Sequence, residues 1–236
     1  KPFGTLYRRW RQWRHAATPA RIAVLGGGPA AVELVLALQR ALPSCQLTLI
    51  CAGQLLGAQP HRAARITRTL LTKRGIPLYE QHEINRIQGG SLLTGDGRAV
   101  RTDAVVLATG TAAAPWQEAS ALATDGAGFI RITDTLQSQS HPHILASGDC
   151  ATLAGCPHSG VYAVRQGAVL GHNLRALLTG SPALHHFQPQ PRALALLATA
   201  DAQALACYGP LALRSRAARR LKDHLDSGFM RSLQVS

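Results

Sequence analysis

Glycines with a fixed spacing lie near the start of the chain, between an apolar run and a helical pattern. Gly26, Gly28 and Ala31 form a Gly-x-Gly-x-x-Ala sequence directly after the run Arg21–Leu25. Gly26 would permit a tight turn, Gly28 would let the backbone approach a pyrophosphate, and the small Ala31 would let a helix pack close to the strand. Pro29 suits the first turn of that helix, whose unpaired N–H groups attract anions. We therefore predict a dinucleotide-binding turn, in preference to a glycine turn without a ligand.

The residue that usually binds the ribose in such a unit is missing. An acidic residue about 20 positions farther on normally accepts the ribose hydroxyl, but Cys51 stands at the end of the second apolar run. Strict selectivity for NAD therefore has no support. Arg62 and Arg65 could accept the 2′-phosphate of NADP, although a helix of surface arginines is the commoner explanation. The choice between NADH and NADPH stays open.

Strand and helix patterns alternate around this turn. They predict a βαβαβ unit and hence an α/β fold with a parallel sheet covered by helices, with strands at 21–25, 46–51 and 76–79 and a basic helix over 61–74 that ends at Gly75. Three short segments between residues 83 and 101, separated by glycine turns, predict an antiparallel meander. The nearly all-apolar run 103–109 predicts a strand that is central and buried.

The remaining patterns lie at the two ends of the chain. Residues 6–14 predict a short amphipathic helix, which either docks on the core, the placement we favour, or lies on a membrane surface. Towards the C-terminus we expect a strand at 144–146, a helix over 160–178, strand-like pieces at 194–198 and 204–208, and a basic amphipathic helix near 214–233.

Composition narrows the class of protein. The 236 residues carry a formal net charge of +13, which we interpret mainly as arginine-rich solvated helix faces. Aromatic residues make up 5% of the chain, which argues against nucleic-acid binding by base stacking. No apolar run reaches the ~18 residues that a membrane span needs. Five cysteines without a Cys-x-x-Cys pair argue against a disulfide framework or a zinc site, so we expect no metal and a reducing cytoplasm.

Several motifs together resemble the pyridine nucleotide–disulfide oxidoreductase superfamily, in particular its type II NADH dehydrogenase-like branch. Within that branch the chain most resembles the oxidoreductase modules that bacteria fuse to selenide, water dikinase. The motifs that carry the resemblance are Gly26–Glu33, Ala108–Gly110, His141–Ile144, Ser147–Ala151, Gly160–Gly167 and Leu221–Met230.

The resemblance implies a Rossmann-like fold that binds two dinucleotides, with FAD and NAD(P)H as cofactors. Residues 17–110 would form the NAD(P)H-binding domain and residues 111–180 the second part of an FAD-binding domain. Residues 1–16 would be a connecting helix, and residues 181–236 a C-terminal interface or tail.

The resemblance also implies roles for single residues. Asp149, after Gly148, would bind the ribityl chain of the flavin, and the helix start at Gly160 and Val161 would face the flavin ring. Glu33 would lie near the contact between nicotinamide and flavin, and the pair Thr109 and Gly110 would border the cofactor. The ordinary alternatives are a turn residue or helix cap for Asp149 and a solvated helix residue for Glu33; we prefer the functional roles.

The chain also departs from the family pattern. We see no strand–glycine turn–helix unit before Arg21, so the segment that holds the ADP half of FAD is expected to be absent, and with it the redox-active cysteine pair. Cys150 is interpreted as a packing residue and not as a nucleophile. Arg165 and Gln166 stand where type II NADH dehydrogenases have a glutamine pair at the quinone site, which makes quinone reduction doubtful.

Two functions follow as hypotheses. In the first, the full-length protein passes hydride from NAD(P)H to FAD and then to an unknown electron acceptor. In the second, the chain is a truncated module that binds NAD(P)(H) without catalysis. A further expectation is contact with the inner face of the membrane through the basic helices, and association with a selenide, water dikinase domain is a predicted partnership.

Overall fold

The computed structural model describes residues 3–15, 19–95, 97–181 and 183–233. The chain forms two compact units: residues 1–110 together with 194–236, and residues 111–193. The helices are α1 Phe3–His15, α2 Pro29–Ala41, α3 His61–Lys73, α4 Pro115–Ala119, α5 Gly160–Leu178 and α6 Arg216–Ser232. The strands are β1 Arg21–Leu25, β2 Gln46–Ile50, β3 Leu78–Tyr79, β4 Ile84–Gln88, β5 Ser91–Thr94, β6 Ala99–Arg101, β7 Ala104–Leu107, β8 Ile130–Arg131, β9 Ala151–Thr152, β10 Ala195–Ala198, β11 Ala204–Tyr208 and β12 Leu211–Ser215.

A four-stranded parallel sheet in the order β3-β2-β1-β7 organises the first unit. The predicted α/β class and the βαβαβ order are confirmed, because β1, β2 and β3 pair in parallel and are connected by α2 and α3. Both helices bury one apolar face: in α3, buried residues recur at helical spacing at positions 63, 64, 67, 70 and 71. As predicted, α3 ends before Gly75, whose φ of +64° is a conformation that glycine adopts without strain.

The strand β7 corrects one prediction. Among the described residues it pairs only with β1, so it lies at an edge of the sheet and is not central. Leu107 is 59% exposed. The run is apolar for another reason, since Val106 packs into the core under the helices while Val105 packs with the cluster around Leu92 of the meander. Both faces of the sheet are therefore covered, although one edge is not.

Residues 194–233, called the C-terminal block below, also belong to the first unit. Its three strands pair antiparallel in the order β10-β11-β12 and α6 follows them. Leu197, Leu205 and Cys207 of these strands join the same buried cluster as the inner faces of α2 and α3. The strand β12 was not predicted, because its residues were assigned in part to the C-terminal helix.

The N-terminal helix α1 docks on this unit, the placement that we favoured. Leu6, Trp10 and Trp13, at positions i, i+4 and i+7, pack against the buried cluster. In the described ranges, no helix is both long enough and apolar enough to cross a membrane.

The second unit is built around α5, whose bounds agree with the predicted helix. Ile130, Ile132 and Leu136 form its buried cluster together with Tyr162 of α5. The predicted strand at 144–146 is wrong, because Leu145 makes only an isolated bridge with Gln137. A run of three apolar residues is too short to distinguish a strand from a buried loop.

Asn173, a buried residue of α5, bonds both to the segment that follows the helix and to a segment that precedes it. Its side chain is completely buried, and Nδ2 donates to the Thr135 oxygen at 2.8 Å and to the His185 oxygen at 2.9 Å. Its Oδ1 accepts the His185 N–H at 2.8 Å. Three backbone groups thus depend on one amide.

We predict that Asn173→Leu lowers the free energy of unfolding by about 2–4 kcal/mol, because the backbone groups lose their partners inside the protein. Chemical denaturation of the purified chain measures this. The control is Leu174→Ala at a half-exposed neighbour, which should change stability by less than about 0.5 kcal/mol. Equal stability of Asn173→Leu and the unmodified chain would contradict the role given to this amide.

Candidate dinucleotide-binding sites

Gly26 directly follows β1 and lies in close contact with the residues that follow β7. Its N–H donates to the Ile50 oxygen at 2.8 Å, and its φ is +137°. A Cβ at this position would lie 2.1 Å from the Ala108 oxygen and 3.2 Å from the Thr109 nitrogen. Only glycine fits such an approach. The structure therefore brings Gly26 beside Thr109, and both Thr109 and Gly110 are exposed.

The start of α2 is open to a ligand. Gly28 is the N-cap, provides no side-chain hydrogen bond, and is followed by Pro29 at the first helical position. A Cβ on Gly28 would have no heavy atom within 4 Å. Pro29 and Ala30 are exposed, whereas Ala31 is fully buried on the inner face of the helix. Free space beside an uncapped helix N-terminus fits a diphosphate, and these residues therefore fit the NAD(P)H that the resemblance implies.

Gly27 is a second tightly packed glycine of this turn, which the spacing argument left as an unspecified residue. A Cβ there would lie 3.1 Å from the Gln54 oxygen and 3.3 Å from Cys51 Sγ. The Gly27 oxygen accepts the Leu56 N–H at 2.7 Å. The loop after β2 is thus held against the turn, and the run of three glycines was the signal for it.

Cys51 lies buried beneath the same turn. Its thiol donates to the Gly26 oxygen at 3.5 Å, and burial raises the pKa of the Cys51 thiol to about 11. A neutral, buried thiol does not replace the ribose-binding carboxylate. Arg62 and Arg65 are exposed on α3, and the choice between NADH and NADPH stays a prediction left open.

Glu80 supports the loop after β2, a role that was not predicted. Its Oε1 accepts the Leu55 N–H at 2.7 Å, and Arg68 donates to both carboxylate oxygens at 2.7 and 2.8 Å. The hydrogen bonds from Arg68 hold the pKa of Glu80 below its usual range. No local sequence pattern shows this pairing, since the three residues come from different elements.

Glu33 is engaged by the C-terminal block. Its Oε1 accepts the Ala198 N–H at 2.7 Å and lies 3.6 Å from Lys222 Nζ. The carboxylate is only one-third exposed. The residue that was predicted near the nicotinamide is thus bonded within the protein.

The predicted Gly148 and Asp149 form a tight turn in the second unit. Gly148 has a φ of +68°, and a Cβ there would lie 3.3 Å from the Ala163 Cβ, so the turn touches the first turns of α5. The Gly148 N–H donates to Oε1 of the buried Gln166 at 2.7 Å. Gln117, also buried, donates to the Cys150 oxygen at 2.6 Å. Asp149 is exposed on this fixed turn.

The N-terminus of α5 lies next to that turn and is open. Ser159 is the N-cap but makes no side-chain capping bond, and a Cβ on Gly160 would meet nothing within 4 Å. Val161 is 37% exposed. The structure therefore brings Gly148, Asp149, Gly160 and Val161 together, with open helix N–H groups that fit the negative charge of a reduced flavin.

Cys150 packs against the buried cluster of the second unit, in line with the packing role predicted for it. Its thiol donates to the Ser147 oxygen at 3.2 Å. All five cysteines are free thiols.

Comparison with known proteins assigns the family. The model of the family "Pyridine nucleotide-disulphide oxidoreductase" matches residues 3–167, which is more than half of the chain. The chain belongs to this family. Members are FAD-dependent oxidoreductases that use FAD and NAD(P)H, so the predicted superfamily and cofactors are confirmed at that level.

Two curated relatives match part of the chain. The type II NADH:quinone oxidoreductase of Haemophilus influenzae is 32% identical over 147 residues, which are 56% of this chain and 33% of that protein. Ferroptosis suppressor protein 1 of Xenopus tropicalis is 30% identical over 176 residues, which are 67% of this chain and 46% of that protein. The chain thus spans a third to a half of the relatives it matches.

Solved structures share the fold. An FAD-dependent pyridine nucleotide-disulphide oxidoreductase from Desulfovibrio vulgaris has a TM-score of 0.67 at 21% identity, covering 86% of this chain and 53% of that one. The sulfide:quinone oxidoreductase of Aquifex aeolicus has a TM-score of 0.69 at 13% identity, covering 96% and 61%. Identity this low shows the fold alone.

We predict opposite effects for two glycine substitutions in the turn between β1 and α2. Gly28→Ala should leave the melting temperature nearly unchanged but weaken ADP-ribose binding about tenfold or more, because the new methyl group enters the space left for the diphosphate. Gly26→Ala should destabilise the fold, because the methyl group would collide with the Ala108 carbonyl.

Thermal melting and calorimetric titration with ADP-ribose measure the two effects. Gly126→Ala in the second unit is the control, since a Cβ there also meets nothing within 4 Å, and it should change neither quantity. Normal ADP-ribose binding by Gly28→Ala would show that the diphosphate lies elsewhere.

Proposed function

We propose that the protein is an FAD-dependent NAD(P)H oxidoreductase, which passes hydride from NAD(P)H to FAD and then to an electron acceptor that is not identified. The observation that carries the proposal is the presence, in one chain of this family, of two open helix N-termini beside glycine turns. These are the start of α2 at Gly28 and the start of α5 at Gly160. Bound FAD would supply the hydride acceptor, while the protein supplies binding, orientation and electrostatics.

The first unit would hold the nicotinamide nucleotide. The backbone at Gly26 and Gly28 and the helix start at Pro29 and Ala31 would cradle the diphosphate, because no side chain fills that space. Thr109 lies beside Gly26 and would border the same nucleotide.

The second unit would hold the flavin. Asp149 would accept hydrogen bonds from the ribityl hydroxyls, on a turn that Gln166 and Gln117 fix through backbone bonds. The helix start at Gly160 and Val161 would place its positive end near the ring and favour negative charge there.

The alternative is a module that binds NAD(P)(H) without catalysis. One observation favours it: among the described residues, a strand–glycine turn–helix unit occurs once, at β1 and α2. FAD carries an ADP half, which needs a cradle of its own. The alternative therefore predicts nucleotide binding without flavin binding.

Partners and location are also proposals. The resemblance of residues 221–230 to the tail of the fused modules supports association with a selenide, water dikinase domain, and the cysteine usage supports a cytoplasmic location. Contact with the inner membrane face would use the basic helix α6, where Leu225 and Met230 are exposed.

We predict that Asp149→Ala weakens FAD binding about tenfold or more and leaves the dissociation constant for NAD(P)H unchanged, because the two ligands use residues of different units. Titration of the purified chain with FAD, NADH and NADPH measures both.

Asp149→Asn is the control, since its amide oxygen can still accept a hydrogen bond and should retain most of the flavin affinity. NAD(P)H binding without FAD binding by the unmodified chain would favour the module. Binding of neither ligand would refute both functions.

A further inference from the structure

Glu80 lies beside the position from which the ribose-binding carboxylate is missing. Cys51 occupies that position at the end of β2, and its N–H donates to the Tyr79 oxygen at 2.8 Å. The Cys51 oxygen in turn accepts the His82 N–H at 2.9 Å. The backbone of Glu80, which directly follows β3, therefore runs next to Cys51 at the carboxyl edge of the sheet. An acidic residue is thus present at this edge, although it belongs to the neighbouring strand.

The side chains of Cys51 and Glu80 lie on the same face of the sheet. Leu78 of β3 packs in the buried cluster formed with α2 and α3, and so does Cys51. Because side chains alternate along a strand, Glu80, two positions after Leu78, also faces these helices. Its bond with Arg68 of α3 agrees with this. The carboxylate of Glu80 is therefore on the face where Cys51 stands in place of the usual acid.

Arg68 is occupied by Glu80. Its Nε and Nη2 donate to the two carboxylate oxygens at 2.7 and 2.8 Å, which uses one edge of the guanidinium fork. The same carboxylate accepts the Leu55 N–H at 2.7 Å, so it lies against the loop that follows β2. Burial raises the pKa of the Cys51 thiol, and the charge of Glu80 raises it further by more than Arg68 lowers it. The charge that dominates at the end of β2 is therefore negative.

NADH and NADPH differ only at the adenosine ribose, which such a unit binds near the end of its second strand. NADPH carries an anionic 2′-phosphate there, whereas NADH has a free hydroxyl. The loop 51–60 contains no Lys or Arg that could bind this phosphate. The first cations after it, Arg62 and Arg65, are exposed on α3 and would favour NADPH if they reached the phosphate. The two charge patterns therefore predict opposite cofactor preferences.

We propose that Glu80 is a specificity-determining residue of the nucleotide site: its carboxylate disfavours a 2′-phosphate, so that the chain binds NADH in preference to NADPH. The inference rests on the proposed binding of NAD(P)H. Glu80 acts through its charge and not through a bond to the ribose, because its oxygens already accept hydrogen bonds from Leu55 and Arg68. The hydrogen bonds from Arg68 lower the pKa of Glu80, so this carboxylate is ionised at neutral pH.

The experiment is calorimetric titration of the purified chain with ADP-ribose and with 2′-phospho-ADP-ribose, which differ only in the 2′-phosphate. The unmodified chain should bind ADP-ribose about threefold or more tightly than the phosphorylated ligand. Glu80→Gln should shift the ratio of the two dissociation constants by about threefold to tenfold in favour of the phosphorylated ligand, because a negative charge is lost and Arg68 is released. The glutamine oxygen can still accept the Leu55 N–H, so the affinity for ADP-ribose should change little.

Arg68→Gln tests the same charge in the opposite direction. It leaves Glu80 without its cation, so the preference for ADP-ribose should increase. Damage to the loop would shift both variants in the same direction, whereas a charge effect shifts them in opposite directions. About 1 M salt should reduce both shifts, because it shortens the Debye length to about 3 Å. Glu83→Gln, at an exposed glutamate three positions farther on, is the matched control and should leave the ratio unchanged.

Equal or tighter binding of 2′-phospho-ADP-ribose by the unmodified chain would overturn the proposal and point to Arg62 and Arg65 as the residues that decide. An unchanged ratio in Glu80→Gln would also overturn it, as would shifts of Glu80→Gln and Arg68→Gln in the same direction. In each of these cases, binding of ADP-ribose would leave the proposed function standing. Binding of neither ligand by the unmodified chain would refute the proposed function, and the inference with it.

Discussion

The close approach of Gly26 to the carbonyl of Ala108 is the constraint on which the nucleotide-binding unit depends. It joins the ends of two parallel strands, β1 and β7, at a distance that excludes every residue with a Cβ. From this point the chain turns through Gly27 and Gly28 into α2, so the helix begins with unpaired N–H groups at the carboxyl edge of the sheet. Thr109 and Gly110 leave β7 at the same edge. A single backbone requirement therefore sets the position of the helix N-terminus and of the residues beside it.

Several other contacts in the first unit hold this edge of the sheet in place. Cys51 fills the space under the turn as a neutral thiol, and the Glu80–Arg68 pair holds the loop after β2. The C-terminal block packs against α2 and α3 and bonds to α2 through Glu33 and Arg40. In the second unit, the buried amides of Gln166 and Gln117 bond to backbone groups of the turn at Asp149. They hold this exposed turn in place, as the contacts above hold the turn at Gly26. Both candidate sites thus use rigid elements and leave their ligand-facing backbone open.

The sequence predicts well whatever depends on local backbone requirements. The spacing of Gly26, Gly28 and Ala31 predicted the turn, and the helical pattern over 160–178 predicted α5, because these signals lie within a few residues of one another. Predictions failed where long-range strand pairing decides the structure. The apolar sequence of β7 suggested a central strand, but β7 is an edge strand whose side chains are covered on both faces of the sheet. The bond between Glu33 and Ala198 spans 165 positions, and the Glu80–Arg68 pair joins separate elements. No periodicity or motif carries such information, so these long-range contacts emerge only from the structure.

The central claim is that one chain of this family combines a nicotinamide nucleotide site with a flavin site. The most direct test is the visible absorption spectrum of the purified chain after incubation with FAD and removal of the unbound flavin, recorded without oxygen before and after addition of NADH or NADPH. The account predicts a yellow protein whose oxidised-flavin absorption bleaches on addition of one of the two nucleotides. A protein that retains no flavin, or whose bound flavin stays oxidised with both nucleotides, would contradict the claim and leave the chain as a nucleotide-binding module.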